Sequence, residues 1–200
     1  MKKVIVALEG LVHAGKSTLF QGIEERHIAV KCVGEYVEFV TERFPCFPES
    51  RDDARFGHVF FLNLEQKRIL KIEESDGIVL LDRSIFSILA YNFAVEKMSD
   101  SVIPCFQDSI KAYRDENWLI PQVCVYLDID DEDISLRHQD EKGHYYSIFL
   151  DNVFNAWLRE FYEKAMPFHF PSLEIIRIDA HQSKQEIIAQ MEEILREIAQ

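Results

Sequence analysis

Gly10-Leu11-Val12-His13-Ala14-Gly15-Lys16-Ser17 follows an apolar run, Lys3-Val4-Ile5-Val6-Ala7-Leu8, and opens a helical pattern over residues 16–26. The octet matches G-x-x-x-x-G-K-S/T in the strand-to-helix setting that its chemistry requires. Gly10 and Gly15 let the backbone wrap closely around phosphates. Successive backbone N–H groups from His13 to Thr18, with the helix N-terminus behind them, then point at the anion. Lys16 is expected to reach the β- and γ-phosphates, and the Ser17 hydroxyl to ligate a magnesium ion. The pattern implies ATP·Mg²⁺, or another nucleoside triphosphate, and leaves the phosphoryl acceptor open.

Beyond this loop, short apolar runs rich in Val and Ile recur at 28–33, 78–81, 123–127 and 173–178. Continuous runs of this length fit strands buried on both faces, as in a parallel sheet. Helical patterns lie between them, over residues 52–75, 84–97, 104–117 and 146–165. A C-terminal stripe follows at Ile187, Ile188, Met191, Ile194, Leu195 and Ile198, whose spacing is that of core packing. Alternation of this kind predicts an α/β fold, doubly wound, with a five-stranded parallel sheet and helices on both faces. With no internal repeat or linker, residues 1–200 read as a single domain.

Composition narrows the partners. The chain has 200 residues, with Lys+Arg 22 against Asp+Glu 35 and a formal net charge of −13. Such a surface repels nucleic acid polymers and anionic membranes. No apolar run reaches the ~18 residues of a membrane span, and Glu9 interrupts the first one too early for a signal peptide. Cys32, Cys46, Cys105 and Cys124 show no metal-ligand spacing and read as free thiols of a reducing, cytoplasmic compartment.

Three further segments carry a family resemblance. Ala7-Leu8-Glu9-Gly10 through Thr18-Leu19 resembles the opening of thymidylate kinases and deoxynucleoside kinases. Leu80-Leu81-Asp82-Arg83-Ser84 through Asn92 is similar to the Asp-Arg segment of the former and the Glu/Asp-Arg-Ser segment of the latter. Gln122 to Asp128, followed by Arg137, resembles the strand and short helix that lead into their lid. In matching order these cover most of residues 1–165. The resemblance implies a P-loop kinase with a lid at about 137–146. It further implies a small nucleoside or nucleoside monophosphate as acceptor, and a homodimer through helices near residues 52–97.

The acceptor-side residues keep two readings each. Asp82-Arg83 ends a buried strand, at the sheet edge where α/β proteins bind ligands. There Asp82 suits an acceptor or the metal's water, and Arg83 suits the migrating phosphoryl group; the alternative is that Asp82 caps the next helix. Glu35 falls where deoxynucleoside kinases carry their catalytic base, and otherwise reads as a surface carboxylate. A nucleoside 5′-hydroxyl needs a proton acceptor, whereas a monophosphate needs additional cations. Thymidylate kinases usually have Arg before that Glu and Asp in the phosphate loop, where this chain has Gly34 and Val12. Both departures lean toward the nucleoside, while Ser87 to Asn92 looks more like the thymidylate kinase version, with Asn92 at a base-contacting position.

Arg43, Arg51 and Arg55 are either acceptor contacts or solvated surface, and Phe56, Phe60 and Phe61 either stack a base or pack in the core. In the lid, Arg137 and Lys142 are the cations, and His13 is an added phosphate donor or an exposed loop residue. So few arginines there motivate a rival from another class, a nucleotide-binding regulatory protein with little transfer activity.

Overall fold

The computed structural model describes residues 3–26, 29–40, 47–100, 102–115, 118–140 and 147–200. Five strands form one parallel sheet in the order β2-β3-β1-β4-β5: β1 Val4–Gly10, β2 Val30–Val33, β3 Ile78–Asp82, β4 Val123–Asp128 and β5 Glu174–Asp179. The α/β expectation holds, with each apolar run landing on a strand. The chain passes from β1 to β2 and β3 on one side, then to β4 and β5 on the other. The carboxyl end of β1 is therefore where the winding reverses, the position at which such sheets open a ligand crevice.

The helices are α1 Lys16–Glu25, α2 Arg51–Glu73, α3 Ile85–Met98, α4 Cys105–Asp115, α5 Asp131–Asp140, α6 Asn152–Glu160, α7 Met166–His169 and α8 Lys184–Ile198. Ser183 and Glu186 form a reciprocal capping box at the start of α8, satisfying two otherwise orphaned N–H groups. Ile187, Ile188, Met191 and Leu195 of that helix are buried, and α8 packs on α1. The C-terminal apolar stripe is thus core.

On the opposite face, α3 packs against both α4 and α6. That explains why Phe86, Leu89, Ala94 and Val95 are buried together, since a helix flanked by neighbours needs apolar residues all round. The predicted span 146–165 is not one regular helix: a 3₁₀ turn Ser147–Leu150 precedes α6, and a π turn Phe161–Ala165 joins α6 to α7. The extra residue of that turn brings Tyr162 toward the end of β1.

Of the apolar residues read onto one side of α2, Leu64 is buried but Phe56 is 65% and Val59 49% exposed. Cys124 and Cys105 are buried and Cys32 is half-buried, all three as free thiols, while Cys46 lies outside the described residues. No helix among the described residues is long and apolar enough to cross a membrane.

Candidate active site

Gly10, at the end of β1, pairs in register with Leu127 of β4. A Cβ there would stand 2.7 Å from the Leu127 carbonyl oxygen, and the backbone takes φ +146°, so only glycine fits. Gly15 (φ +92°) then turns the chain into α1. Lys16 is buried, and its Nζ donates to the carbonyls of Gly10 at 3.0 Å and Leu11 at 2.6 Å. Burial, aided by the nearby Arg83 charge and opposed by Asp82, Glu35 and Glu9, pulls the Lys16 ammonium down to about 7. Ser17 and Thr18 are exposed at the first turn of α1.

Opposite the loop, β3 delivers Asp82 and Arg83. Ser17 Oγ lies 3.5 Å from Asp82 Oδ2, while Asp82 Oδ1 is buried with no hydrogen-bond partner among the described residues. Burial, opposed by Lys16, pushes the Asp82 carboxyl above its ordinary value. Asp82 does not cap the following helix: Ser84 does, its hydroxyl accepting from Phe86 N at 3.2 Å. Arg83 is one of three non-glycine residues with positive φ among the described residues, at +62°. That left-handed turn swings its guanidinium toward Glu35, at 2.5 Å from Nε to Oε1, while Nη1 reaches the Gly10 carbonyl and Ser87 Oγ at 3.4 Å each. Glu35 itself stands just after β2, in extended backbone before a 3₁₀ turn Tyr36–Phe39. Lys16, Ser17, Glu35, Asp82 and Arg83 are thereby gathered at one sheet edge.

Beneath them lies Glu9, fully buried, and without a sequence-based role. Its carboxylate accepts from Ser84 Oγ at 2.6 Å, Ser87 Oγ at 2.5 Å and Tyr162 Oη at 2.8 Å. Its only sequence signal is a charge in an apolar strand run, directly before Gly10.

A cleft of about 590 Å³ runs from the phosphate loop, past Glu35 and Arg83, to an aromatic end formed by Phe47, Phe61, Tyr91 and Phe149. This volume suits a small ligand. Phe61 is the one aromatic of α2 that both the sequence and the cleft single out; Phe56 points outward. Asn92 also lines the cleft, and its Nδ2 is engaged with Ser109 Oγ at 2.7 Å. Arg51 pairs with Asp108 at the surface, 3.0 Å away, and Arg55 is exposed. Arg43 and residues 141–146 of the lid, Lys142 among them, lie outside the described residues.

Arg137 does reach the phosphate loop, but at its backbone. Its Nη1 donates to the His13 carbonyl at 3.1 Å and its Nη2 to the Ala180 carbonyl at 2.6 Å, tying the loop to the turn after β5. His13 (φ +61°) meets His138 of α5, with Nε2 and Nδ1 3.2 Å apart.

The family model for deoxynucleoside kinase matches residues 6–198. The chain belongs to the deoxynucleoside kinase family. The coarse activity of a kinase of this family, ATP-dependent phosphoryl transfer to a nucleoside or nucleotide, goes with that membership. Among individual proteins, the chain is 29% identical to a probable thymidylate kinase of Halorubrum lacusprofundi over 209 residues, covering 98% of each. It is 26% identical over 210 residues to a thymidylate kinase of Leptospira interrogans, covering 96% of this chain and 94% of that one. In fold it is similar to a deoxyadenosine kinase from M. mycoides solved with dCMP and dCDP, with a TM-score of 0.78 at 15% identity over 97% of this chain and 100% of that chain. A thymidylate kinase from Candida albicans superimposes with a TM-score of 0.68 at 20% identity, over 98% of this chain and 92% of that one. The P-loop kinase fold of this deoxynucleoside kinase family member thus agrees with both branches.

Proposed function

We propose that this deoxynucleoside kinase family member transfers the γ-phosphoryl group of ATP to the 5′-hydroxyl of a nucleoside, with Glu35 as the base. The observation that carries this reading is the charge inventory of the cleft. Among the described residues its Lys and Arg lining is Lys16 and Arg83, and Arg83 is already engaged with Glu35. A monophosphate acceptor would bring a second dianion and need further cations, yet Arg51 and Arg55 stand outside the lining. A neutral nucleoside needs instead a carboxylate near its hydroxyl, which Glu35 supplies.

In this mechanism the phosphate loop and Lys16 bind the β- and γ-phosphates. The 5′-oxygen attacks the γ-phosphorus in line, the bond to the β,γ-bridging oxygen breaks, and ADP leaves. Glu35 takes the hydroxyl proton, and Arg83 meets the charge that develops on the transferred group. Catalysis is then mostly positioning and electrostatics. Ser17 Oγ and the unpartnered Asp82 Oδ1 are hard oxygen donors, which fit magnesium; Ser17 and Asp82 would hold the ion that accompanies ATP, neutralising phosphate charge. The aromatic end would receive the base, whose flat face suits the rings of Phe47, Phe61, Tyr91 and Phe149. Arg137 acts here as a brace of the loop. The free thiols support a reducing, cytoplasmic setting. Exposed Phe56 and Val59 on α2 support a homodimer, which sedimentation of wild type beside Phe56→Ser would test by loss of the dimer species.

A nucleoside monophosphate acceptor is the second reading, favoured by the thymidylate kinases among the relatives. Labelled ATP with a panel of nucleosides and monophosphates separates the two. Transfer to hydroxyls, reduced about 10²-fold or more in Glu35→Gln and absent in Lys16→Ala, supports the nucleoside. Transfer to monophosphates that survives Glu35→Gln overturns it, and ATP binding without any transfer favours a regulatory protein.

A further inference from the structure

Behind the Asp82–Arg83 turn lies a guanidinium with no exposure at all. Arg68, on α2, is 0% exposed and meets Glu65, 1% exposed, at 3.2 Å. Taking two ions out of water costs about as much as their attraction returns, and an apolar pair of similar volume is often at least as stable. Stability alone therefore does not account for the pair, and the remaining contacts of Arg68 point elsewhere.

Its Nη2 donates to the carbonyl of Asp82 at 3.1 Å and to that of Arg83 at 2.7 Å. These carbonyls belong to the turn in which Arg83 takes φ +62°. A left-handed conformation strains a side-chain-bearing residue, whose Cβ crowds the following carbonyl oxygen, and persists only where its surroundings over-determine it. Here β1 holds the turn through Arg83 N to the Leu8 carbonyl, 3.0 Å, and Arg68 holds its carbonyls. The same guanidinium lies 4.3 Å from the centroid of the Tyr36 ring, the residue that follows Glu35. One buried side chain thus contacts both the turn that aims Arg83 and the neighbour of Glu35.

We propose that Arg68, charge-balanced by Glu65, is a positioning residue for phosphoryl transfer, holding the Asp82–Arg83 turn left-handed so that the Arg83 guanidinium faces Glu35 and the phosphate loop. Arg68 touches no reacting group. A lysine there offers a point charge and cannot divide one planar head between Glu65 and two carbonyls. The inference rests on the role given above to Arg83.

The test pairs Arg68→Met with Glu65→Leu, because either change alone leaves an uncompensated buried charge and strongly destabilises the protein. The double variant removes both charges, and circular dichroism and thermal melting establish that it is folded. Two readouts follow. In side-chain NMR spectra, the Arg83 Nε–H signal, identified by its loss in Arg83→Lys, is sharp and slowly exchanging in wild type and loses that protection in the double variant. In kinetics, the double variant loses about 10²-fold in kcat, the scale of a misplaced catalytic group, with KM for ATP nearly unchanged. Placed in an Arg83→Ala background, it causes no additional loss. An unaltered Arg83 signal with full kcat, or losses that add to those of Arg83→Ala, overturns the proposal. Kinetics use whichever acceptor wild type phosphorylates, so transfer to monophosphates would overturn the nucleoside assignment alone. If wild type transfers to no acceptor, the catalytic reading fails and the NMR signal decides on Arg68.

Discussion

Arg83 Nε and Glu35 Oε1 stand 2.5 Å apart, joining the carboxyl ends of two adjacent strands, β3 and β2. The pair ties the segment after β2 to the phosphate loop, since Arg83 Nη1 also reaches the Gly10 carbonyl. Each partner is partly exposed, 23% and 30%, so solvent limits what the ion pair adds to stability. Its value lies in orientation.

Replacing Arg83 by Lys keeps the charge but removes the planar array that spans Glu35, Ser87 and Gly10. Interactions that strengthen only as charge develops affect turnover more than ground-state binding. Arg83→Lys is expected to lower kcat by about 10²-fold or more, with the melting temperature and ATP dissociation constant little changed. Steady-state kinetics beside calorimetric titration check this; equal losses in kcat and ATP affinity would contradict it.

Gly10→Ala acts through backbone rather than charge. The added Cβ meets the Leu127 carbonyl oxygen at 2.7 Å, an atom fixed in the β1–β4 pairing. Relief requires opening the sheet beside the phosphate loop, at a cost of about 1–3 kcal/mol for overpacking, with the strain of φ +146° added. Lower denaturation midpoints together with lost ATP binding are expected. A variant that binds ATP normally would show that the loop tolerates a wider turn.

Asp82→Asn tests the metal assignment. The change keeps the shape but removes the charge beside Ser17 Oγ, so saturation of turnover should demand several-fold more magnesium. A titration of magnesium at fixed ATP reads this directly. An unchanged midpoint would assign Asp82 to another task.

The parts of this fold that depend on local chain chemistry were legible in the sequence. The phosphate loop is a contiguous motif, and the strands of a doubly covered sheet must be continuously apolar, so both appear without tertiary information. Asp82, Arg83 and Glu35 were legible as strand-end residues, because the ends of parallel strands converge. What escaped is held by contacts between distant segments. Glu65 and Arg68 look like two more charges on a mostly polar helix, and nothing local marks them as buried. Tyr162 reaches Glu9 across 153 residues of chain through a π turn that periodicity cannot anticipate. Arg137 resembles a lid cation, and its hydrogen bonds to the carbonyls of His13 and Ala180 join segments too far apart in the chain for local pattern to show. Spacing alone leaves Phe56 open as core or base contact, but the face of α2 that carries it turns to solvent.

Lys16 offers a proton-linked signature of nucleotide binding. In the free protein its ammonium titrates at about 7, chiefly because it is buried. Phosphate oxygens around Nζ would restore the charged form, returning the pKa toward the ordinary lysine value of 10.5. Between those two values the complex holds a proton that the free protein lacks. ATP binding at pH 8 should therefore take up nearly one proton, and at pH 6 almost none; above about pH 7 affinity should weaken by up to about tenfold per pH unit. Folding has the opposite sign. The unfolded chain keeps Lys16 protonated to a higher pH than the free folded protein does, so this group makes folding more favourable as pH rises from about 7 towards 10.5. Calorimetry in buffers of different ionisation enthalpy counts the protons, and the difference in stability between wild type and Lys16→Met across the same window reads the folding linkage. Proton release on binding, or no pH dependence in either measurement, would mean that Lys16 is fully charged before the nucleotide arrives.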